Sequence, residues 1–451
     1  MNIDVVTIIL AAGKSTRMKS ALPKTLHPIA GRPMLGHVLD AVGGNKAAST
    51  VLVIGPDMDN VAAYAKNITP GLTIAIQQSQ RGTGDAVKAA LPQITASSGV
   101  ALVIFGDTPL VRAETLTGMV DACTPDTPIV VLGFEAADPA AYGRLVLDAK
   151  GALAAIVELK DATAKQRAIT LCNGGAMAIR LEHLEKLLGQ LTDKNRAGEY
   201  YLTDVPAFAR AAGLGCTVVT APEADIQGVN SRADLAAVEA EMQNRLRARA
   251  MASGVTLSDP NTIYLSADTI IGPDVTIGQN VVIGPGVKIA SGVTIKPFSH
   301  LEGGIIAEGA QIGPFARIRP GSDIGRDVHI GNFVETKKAK VEEGAKINHL
   351  TYIGDARVGA RANIGAGTIT CNYDGFNKHF TDIGAGAFIG SNSSLVAPVK
   401  IGDGAYTGSG SVITKDVSPD ALAVERSKQF EKQGWAASFR AKFLNQKKGS
   451  N

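Results

Sequence analysis

Apolar positions in the first half of the chain fall into short runs separated by segments of helical spacing. Val5–Leu10, Thr50–Ile54, Thr73–Ile76, Val100–Phe105 and Ile129–Phe134 are rich in Val and Ile and predict buried strands. Met34–Val42, Asp57–Lys66 and Thr83–Leu91 carry apolar residues at helical intervals between them. This alternation predicts a Rossmann-like, mostly parallel sheet covered on both faces, with ligands beyond the carboxyl ends of its strands. Over Ser231–Ala252, Leu235, Val238, Met242, Leu246 and Met251 recur at helical intervals among Arg, Glu and Gln, without Gly or Pro. That segment predicts a long exposed helix spacing two domains, giving domains 1–230 and 253–451 joined by helix 231–252.

After Pro260 the period changes. Ile271, Ile277, Ile283, Ile289, Ile295 and Leu301 recur every six residues, and after a one-residue slip so do Ile306, Ile312, Ile318, Ile324 and Ile330. Val275, Val281, Val287 and Val293 stand two positions before an Ile. Six matches neither a helix nor an ordinary strand; it fits a β-helix in which each hexapeptide forms one face of a coil and points its aliphatic residue inward. Cys371–Asp382 breaks the repeat and predicts a loop inserted on one face, where binding commonly resides. A basic tail (Arg426, Lys428, Lys432, Arg440, Lys442, Lys447, Lys448) closes the chain and is expected to be mostly solvated.

Composition agrees. Of 451 residues, 45% are hydrophobic and 19% charged, the balance of a chain with real cores. Forty-five Lys and Arg against 42 Asp and Glu leave a charge of +3, too even for a nucleic-acid or membrane-surface binder. The four cysteines (Cys123, Cys172, Cys216, Cys371) are far apart with no metal-ligand spacing, which disfavours zinc and disulfides. With an acidic N-terminus and no apolar stretch near the ~20 residues of a membrane span, a cytoplasmic location is expected.

Candidate chemistry begins directly after the first strand. Leu10-Ala11-Ala12-Gly13-Lys14-Ser15-Thr16-Arg17-Met18 and Pro23-Lys24 pair a small-residue turn, which lets backbone N–H groups approach a phosphate, with fixed positive charge on Arg17 and Lys24. Neither a P-loop ending nor GxGxxG spacing is present. Phe105-Gly106-Asp107 places an acid past a buried strand, suited to a hard cation beside a triphosphate or to a plain turn. Gln77 and Gly82-Thr83-Gly84 offer donors for a base edge.

These motifs, followed by Tyr142-Gly143-Arg144, Glu158, Asn173-Gly174-Gly175, Gly198–Asp204 and Gly228-Val229-Asn230, together resemble the sugar-1-phosphate nucleotidyltransferases. With Asn332–Lys338, His349–Asp355 and Asn363–Gly375 added, nearly the whole chain resembles the bacterial bifunctional N-acetylglucosamine-1-phosphate uridylyltransferases/glucosamine-1-phosphate N-acetyltransferases. The resemblance implies a left-handed β-helix, a homotrimer with sites between subunits, and synthesis of UDP-N-acetylglucosamine from glucosamine 1-phosphate, acetyl-CoA and UTP. It implies that Leu10, Ala11, Ala12 and Gly13 line the nucleotide, Lys24 meets its phosphates, and Gln77, Gly82 and Thr83 meet the uracil. Phe105, Gly106 and Asp107 would border the same site. Arg17 would stabilise the transferring phosphate, Gly143, Glu158 and Asn173 would hold the sugar, and Asp107 and Asn230 would bind Mg²⁺.

For acetyl transfer, histidine is the side chain that ordinarily titrates near neutrality, which makes His349 the natural base. By resemblance Glu335 would orient it, Arg319 and Lys337 would grip the sugar phosphate, and Tyr352 and Asn363 the sugar. Ala366, Asn372, Tyr373, Ser391 and Ser409 would lie along acetyl-CoA, with Arg426 at its phosphates and Lys378 a weaker candidate. Three positions depart from the family pattern: Ser15 for a common Gly, Phe105 for a frequent Tyr, Ser409 for a frequent Ala. Two other readings stay open, a single-function nucleotidyltransferase with a structural β-helix and a non-catalytic scaffold.

Overall fold

The computed structural model describes residues 4–13, 15–44, 49–139 and 142–448, with side chains described as far as residue 442; Lys14 of the first loop and the side chains of Lys447 and Lys448 lie outside the described residues. The chain divides into two compact units, Met1–Arg249 with Leu265–Ala267, and Ala250–Tyr264 with Asp268–Asn451.

The first unit is built on a nine-stranded sheet: β1 (Val5–Leu10), β2 (Ser49–Ile54), β3 (Thr73–Ile76), β4 (Val100–Phe105), β5 (Ile129–Glu135), β6 (Arg144–Leu147), β7 (Leu153–Val157), β8 (Leu171–Arg180) and β9 (Cys216–Thr220). Its main path runs β9-β5-β8-β4-β1-β2-β3, and β6 and β7 form a hairpin beside β8. Strands β4, β1, β2 and β3 are mutually parallel, β9 is parallel to β5, and β8 alone runs antiparallel between β4 and β5.

The central strands are buried along their length because helices cover both faces. On one face Ile9, Leu52, Leu102 and Val130 pack under α1 (Met34–Gly44), α2 (Asp59–Ile68) and α4 (Ala113–Ala122) through Leu35, Val38, Val61 and Leu116. On the other, Ile8, Val51, Val103 and Val131 meet Val87 of α3 (Thr83–Ala90), Leu184 and Leu188 of α5 (Leu181–Gly189) and Val205 of α6 (Val205–Ala211). A strand sandwiched this way needs a continuous apolar run, which is the pattern the sequence carries.

Helix α7 (Arg232–Ala252) was expected to stand exposed as a spacer. Its side facing the first unit is instead buried: Val238 joins Met18, Ile29, Met34, Leu110 and Val229 in a small core, and the Arg245 guanidinium donates to the Leu110 carbonyl and pairs with Asp225. Polar residues with long apolar stems cover this surface, so a mixed sequence hides a packed face.

In the second unit two-residue strands recur in register at coil intervals. Thr276 aligns with Thr294, Thr294 with Gln311, and Gln311 with His329, so three hexapeptides make each coil. Ile277, Ile283, Ile295, Leu301, Ile306, Ile312, Ile318, Ile324 and Ile330 are all essentially inaccessible, as are Val275, Val281, Val287 and Val293. This is the left-handed β-helix, its core a stack of aliphatic columns. Residues 372–380 are looped out between coils, Cys371 still pairing with Val396, and α8 (Trp435–Lys448) follows the last coil. Among the described residues no helix is long and apolar enough to cross a membrane.

Candidate functional sites

The carboxyl ends of β1, β2 and β4 lie side by side: Ala11 N–H donates to the Val53 carbonyl and Gly106 N–H to that of Leu10. Past these ends opens a cleft of about 440 Å³. Leu10, Ala11, Ala12, Gly13, Lys24, Gln77, Gly82, Thr83, Phe105 and Asp107 all line it, so most of the expected nucleotide residues gather at one place.

Two of the cleft's lining residues, Lys24 and Asp107, converge with Arg17 and Asn230, which stand outside the lining. Lys24 Nζ pairs with the Asp107 carboxylate and donates to Asn230 Oδ1 at 3.1 Å; Arg17 donates to the same oxygen at 3.0 Å. Asn230 is brought there from far along the chain, since Val229 N–H donates to the Asp107 carbonyl. The first turn of α7 fixes it: Asp234 Oδ2 accepts from the backbone of Asn230 and Ser231, both at 2.9 Å, while Ser231 caps Asp234 in return. Arg232 adds a bond to the Met18 carbonyl, tying the Arg17 turn to the same helix.

The Asp107 and Asn230 oxygens thus converge on one spot, held in this structure by the Lys24 ammonium, which would give way to a cation there. Among the described residues no cluster of three acidic, His or Cys side chains forms a ready metal cage. Two hard oxygens completed by substrate phosphates are what Mg²⁺ ordinarily takes, so these residues fit that ion.

A second pocket of about 360 Å³ shares Thr83, Phe105 and Glu199 with the first and reaches Glu158 and Asn173. Gly143 belongs here too: its carbonyl accepts from Asn173 N–H at 2.8 Å, and a Cβ in its place would touch both Glu158 and Asn173. Burial, with Asp161 and Asp204 nearby, pushes the Glu158 carboxyl above the usual range, against the pull of a 3.2 Å hydrogen bond from Thr203. Glycine is required at 82, where φ is +103° and a Cβ would lie 2.7 Å from the Tyr200 carbonyl. That close approach seats Glu199 in the wall, because Tyr200 N–H bonds the Arg81 carbonyl and Gly84 N–H bonds that of Tyr200.

Several lining residues were not anticipated. Gln80 reaches across to the Ala12 carbonyl at 2.6 Å, and Glu199, Tyr201 and Thr203 border the second pocket. The last three stand within the Gly198–Asp204 motif, so the signal was present without an assigned role.

In the β-helix the expected residues fall on two faces. On one, Glu335 aligns with Tyr352 and Lys337 with Gly354 on successive coils, and Arg319 donates to Glu335 at 2.6 Å from the coil before. Glu335 was expected beside His349; its bond goes to Arg319, and the His349 Nδ1 partner is Asn332 Oδ1 at 2.7 Å. An oxygen partner requires the proton on Nδ1, leaving the Nε2 lone pair free to act as a base.

On the other face Asn363 pairs with Lys346 and Phe388, in the sheet that carries His349. Ala366, Ser391 and Ser409 follow strands in shared register and stack in one column, with Arg426 donating to the Ser409 carbonyl at 2.8 Å. Asn372 is buried and donates to Asp355 at 2.5 Å, while Tyr373 lies on the looped-out segment with Lys378 4.3 Å from its ring centre. Burial pushes the Cys123 and Cys216 thiols up to about 12 and about 11, which leaves neither suited to act as a nucleophile.

Residues 7–171 match the MobA-like NTP transferase domain family, and residues 268–303, 303–338 and 380–415 match the bacterial transferase hexapeptide family. A phosphate-suited cleft on the first unit and a side-chain array on a hexapeptide coil thus define a transferase of two parts. The Bifunctional protein GlmU of Parvibaculum lavamentivorans is 68% identical over 443 residues, 98% of either chain; that of Paramagnetospirillum magneticum is 57% identical over 436 residues, 96% of either. That of Agrobacterium fabrum is 50% identical, covering 98% of this chain and 97% of its own. The chain belongs to the bifunctional GlmU family.

Proposed function

We propose that this chain makes UDP-N-acetylglucosamine in two steps on two units. The β-helix acetylates glucosamine 1-phosphate with acetyl-CoA, and the first unit transfers UMP from UTP to the product, releasing pyrophosphate. The observation that carries the first-unit reading is the convergence of Arg17, Lys24, Asp107 and Asn230 at the strand ends of the cleft.

In uridylyl transfer the sugar-phosphate oxygen attacks the α-phosphorus and pyrophosphate leaves. Positioning and charge neutralisation suffice, without a covalent intermediate. Leu10, Ala11, Ala12 and Gly13 line the nucleotide, with Phe105 and Gly106 beside them; Gln77, Gly82 and Thr83 face the base, and Lys24 and Arg17 the phosphates. Gly143, Glu158 and Asn173 hold the sugar in the adjoining pocket. Asp107 and Asn230 would hold Mg²⁺, which supplies further neutralisation of phosphate charge.

In acetyl transfer His349 Nε2 takes the ammonium proton of the sugar amine, with Asn332 fixing the ring, and the free amine attacks the thioester carbonyl. The C–S bond then breaks, coenzyme A leaves as the thiol with the proton from His349, and the second amine proton passes to water. Arg319 and Lys337 bind the sugar phosphate, Glu335 holds Arg319 in place, and Tyr352 and Asn363 bind the sugar. Ala366, Asn372, Tyr373, Ser391, Ser409 and Arg426 line acetyl-CoA. Because these residues occupy two faces of successive coils, a neighbouring copy completes the site, and the chain is a homotrimer of the cytoplasm. The stacked and half-exposed Phe298, Phe315 and Phe333, with ring centres 4.9 and 5.1 Å apart, supply an apolar ladder suited to such packing. Sedimentation of the purified chain tests the assembly, and separate assays of free thiol and pyrophosphate test the two reactions.

A further inference from the structure

Gln77 lines the nucleotide cleft with only 5% of its surface accessible, and both protons of its amide are committed. Nε2 donates to the Gly82 carbonyl at 2.9 Å and to Asp85 Oδ2 at 2.8 Å. A carbonyl and a carboxylate can only accept, so the nitrogen must occupy that side and Oε1 must occupy the other. Asp85 is itself held: it stands in the first turn of α3, and the same Oδ2 accepts from Arg81 N–H at 3.1 Å. The acid at this position suits the helix N-terminus, where a negative charge is favoured.

We propose that Asp85 is a positioning residue that sets the base selectivity of the cleft by locking the Gln77 amide. The inference rests on the proposed nucleotide cleft. A locked Oε1 offers the base an acceptor and no donor. Uracil presents a ring N3–H to such a group; cytosine presents a lone pair at N3, which the oxygen repels and leaves without a partner. Without the Asp85 carboxylate only the Gly82 carbonyl holds the nitrogen, and an amide that turns over offers Nε2 instead, matching the cytosine edge. Selectivity thus resides in a carboxylate that need not touch the base.

The test compares kcat/KM for UTP and CTP, with N-acetylglucosamine 1-phosphate and Mg²⁺, in the full chain and its Asp85→Asn and Asp85→Ala forms, with thermal midpoints measured in parallel. In D85N the amide oxygen takes the place facing Arg81 N–H and Gln77 Nε2, so the lock is kept and this variant serves as the rescue, while D85A removes the acceptor. A ratio lost in D85A and kept in D85N separates the lock from general damage. The expected result is a fall of about tenfold or more in the UTP-to-CTP ratio of D85A with the ratio kept in D85N, since one mispaired polar group in a buried site commonly changes affinity by that order. Equal losses for both nucleotides, leaving the ratio unchanged, would overturn the proposal and reduce Asp85 to a helix cap. Failure of the unsubstituted chain to use UTP would overturn it by removing the reading beneath it, a result recognisable without any variant.

Discussion

Lys24→Met removes the ammonium group at the convergence of Asp107 and Asn230 while preserving most of the side-chain stem. The ammonium has three protons; in this structure two go to Asp107 and Asn230, so at least one is available for a phosphate oxygen, and more where Mg²⁺ takes those two oxygens. One charge-assisted hydrogen bond contributes about 1.5–3 kcal/mol, so its loss alone lowers kcat/KM for uridylyl transfer by about 10- to 150-fold. Uncovering Asp107 adds repulsion toward the incoming triphosphate and moves the result toward the upper end. The stability cost is smaller: the Lys24 and Asp107 side chains retain 14% and 20% of their exposure, so breaking the pair falls short of the about 3–5 kcal/mol of a fully buried one. The assay is pyrophosphate release from UTP and N-acetylglucosamine 1-phosphate, with acetyl transfer measured on the same preparation. Uridylyl transfer within threefold of the unsubstituted chain, with the fold intact, would refute the placement of Lys24 on the phosphates.

Glu158→Gln relieves a buried carboxylate. Because the folded-state pKa is raised, ionisation opposes folding above it and the opposition fades as pH falls through it, so Tm rises in the variant at neutral pH and the gain disappears on acidification. The same change weakens a charged acceptor for sugar hydroxyls and raises KM for the sugar phosphate, measured by initial rates. Asn332→Ala frees the His349 ring to adopt either tautomer and lowers acetyl transfer by about tenfold or more, with uridylyl transfer unchanged in the same assay pair. Ile312→Ala empties a fully buried position in the coil and costs about 2–5 kcal/mol, read as a lower thermal midpoint for the second unit.

Both fold classes were legible because each carries a period that local chemistry enforces. Strands covered on two faces must be apolar throughout, as Val5–Leu10 and Val100–Phe105 are, and a hexapeptide coil needs one inward aliphatic per face, as Ile277 to Ile330 supply. Antiparallel β8 escaped because Asn173-Gly174-Gly175 interrupts its apolar run, and its ladder with β5 shifts register at that place. The inner face of α7 escaped because Gln243 and Arg247 are buried there despite their polarity. Arg17, Lys24 and Asp107 announced themselves by charge beside strand ends, whereas Gln80, Glu199 and Asn332 join their sites through contacts made in the fold. No local pattern in a sequence records a bond such as that between Gln80 and Ala12, 68 residues apart.

The central claim, two separate active sites on one chain, is tested most directly by following free thiol and pyrophosphate in His349→Ala and Asp107→Ala supplied with glucosamine 1-phosphate, acetyl-CoA, UTP and Mg²⁺. The account predicts that H349A releases no thiol yet forms pyrophosphate once N-acetylglucosamine 1-phosphate is added, while D107A releases thiol and forms almost no pyrophosphate. Thiol release by H349A at the unsubstituted rate, or loss of both activities in either folded variant, would contradict it.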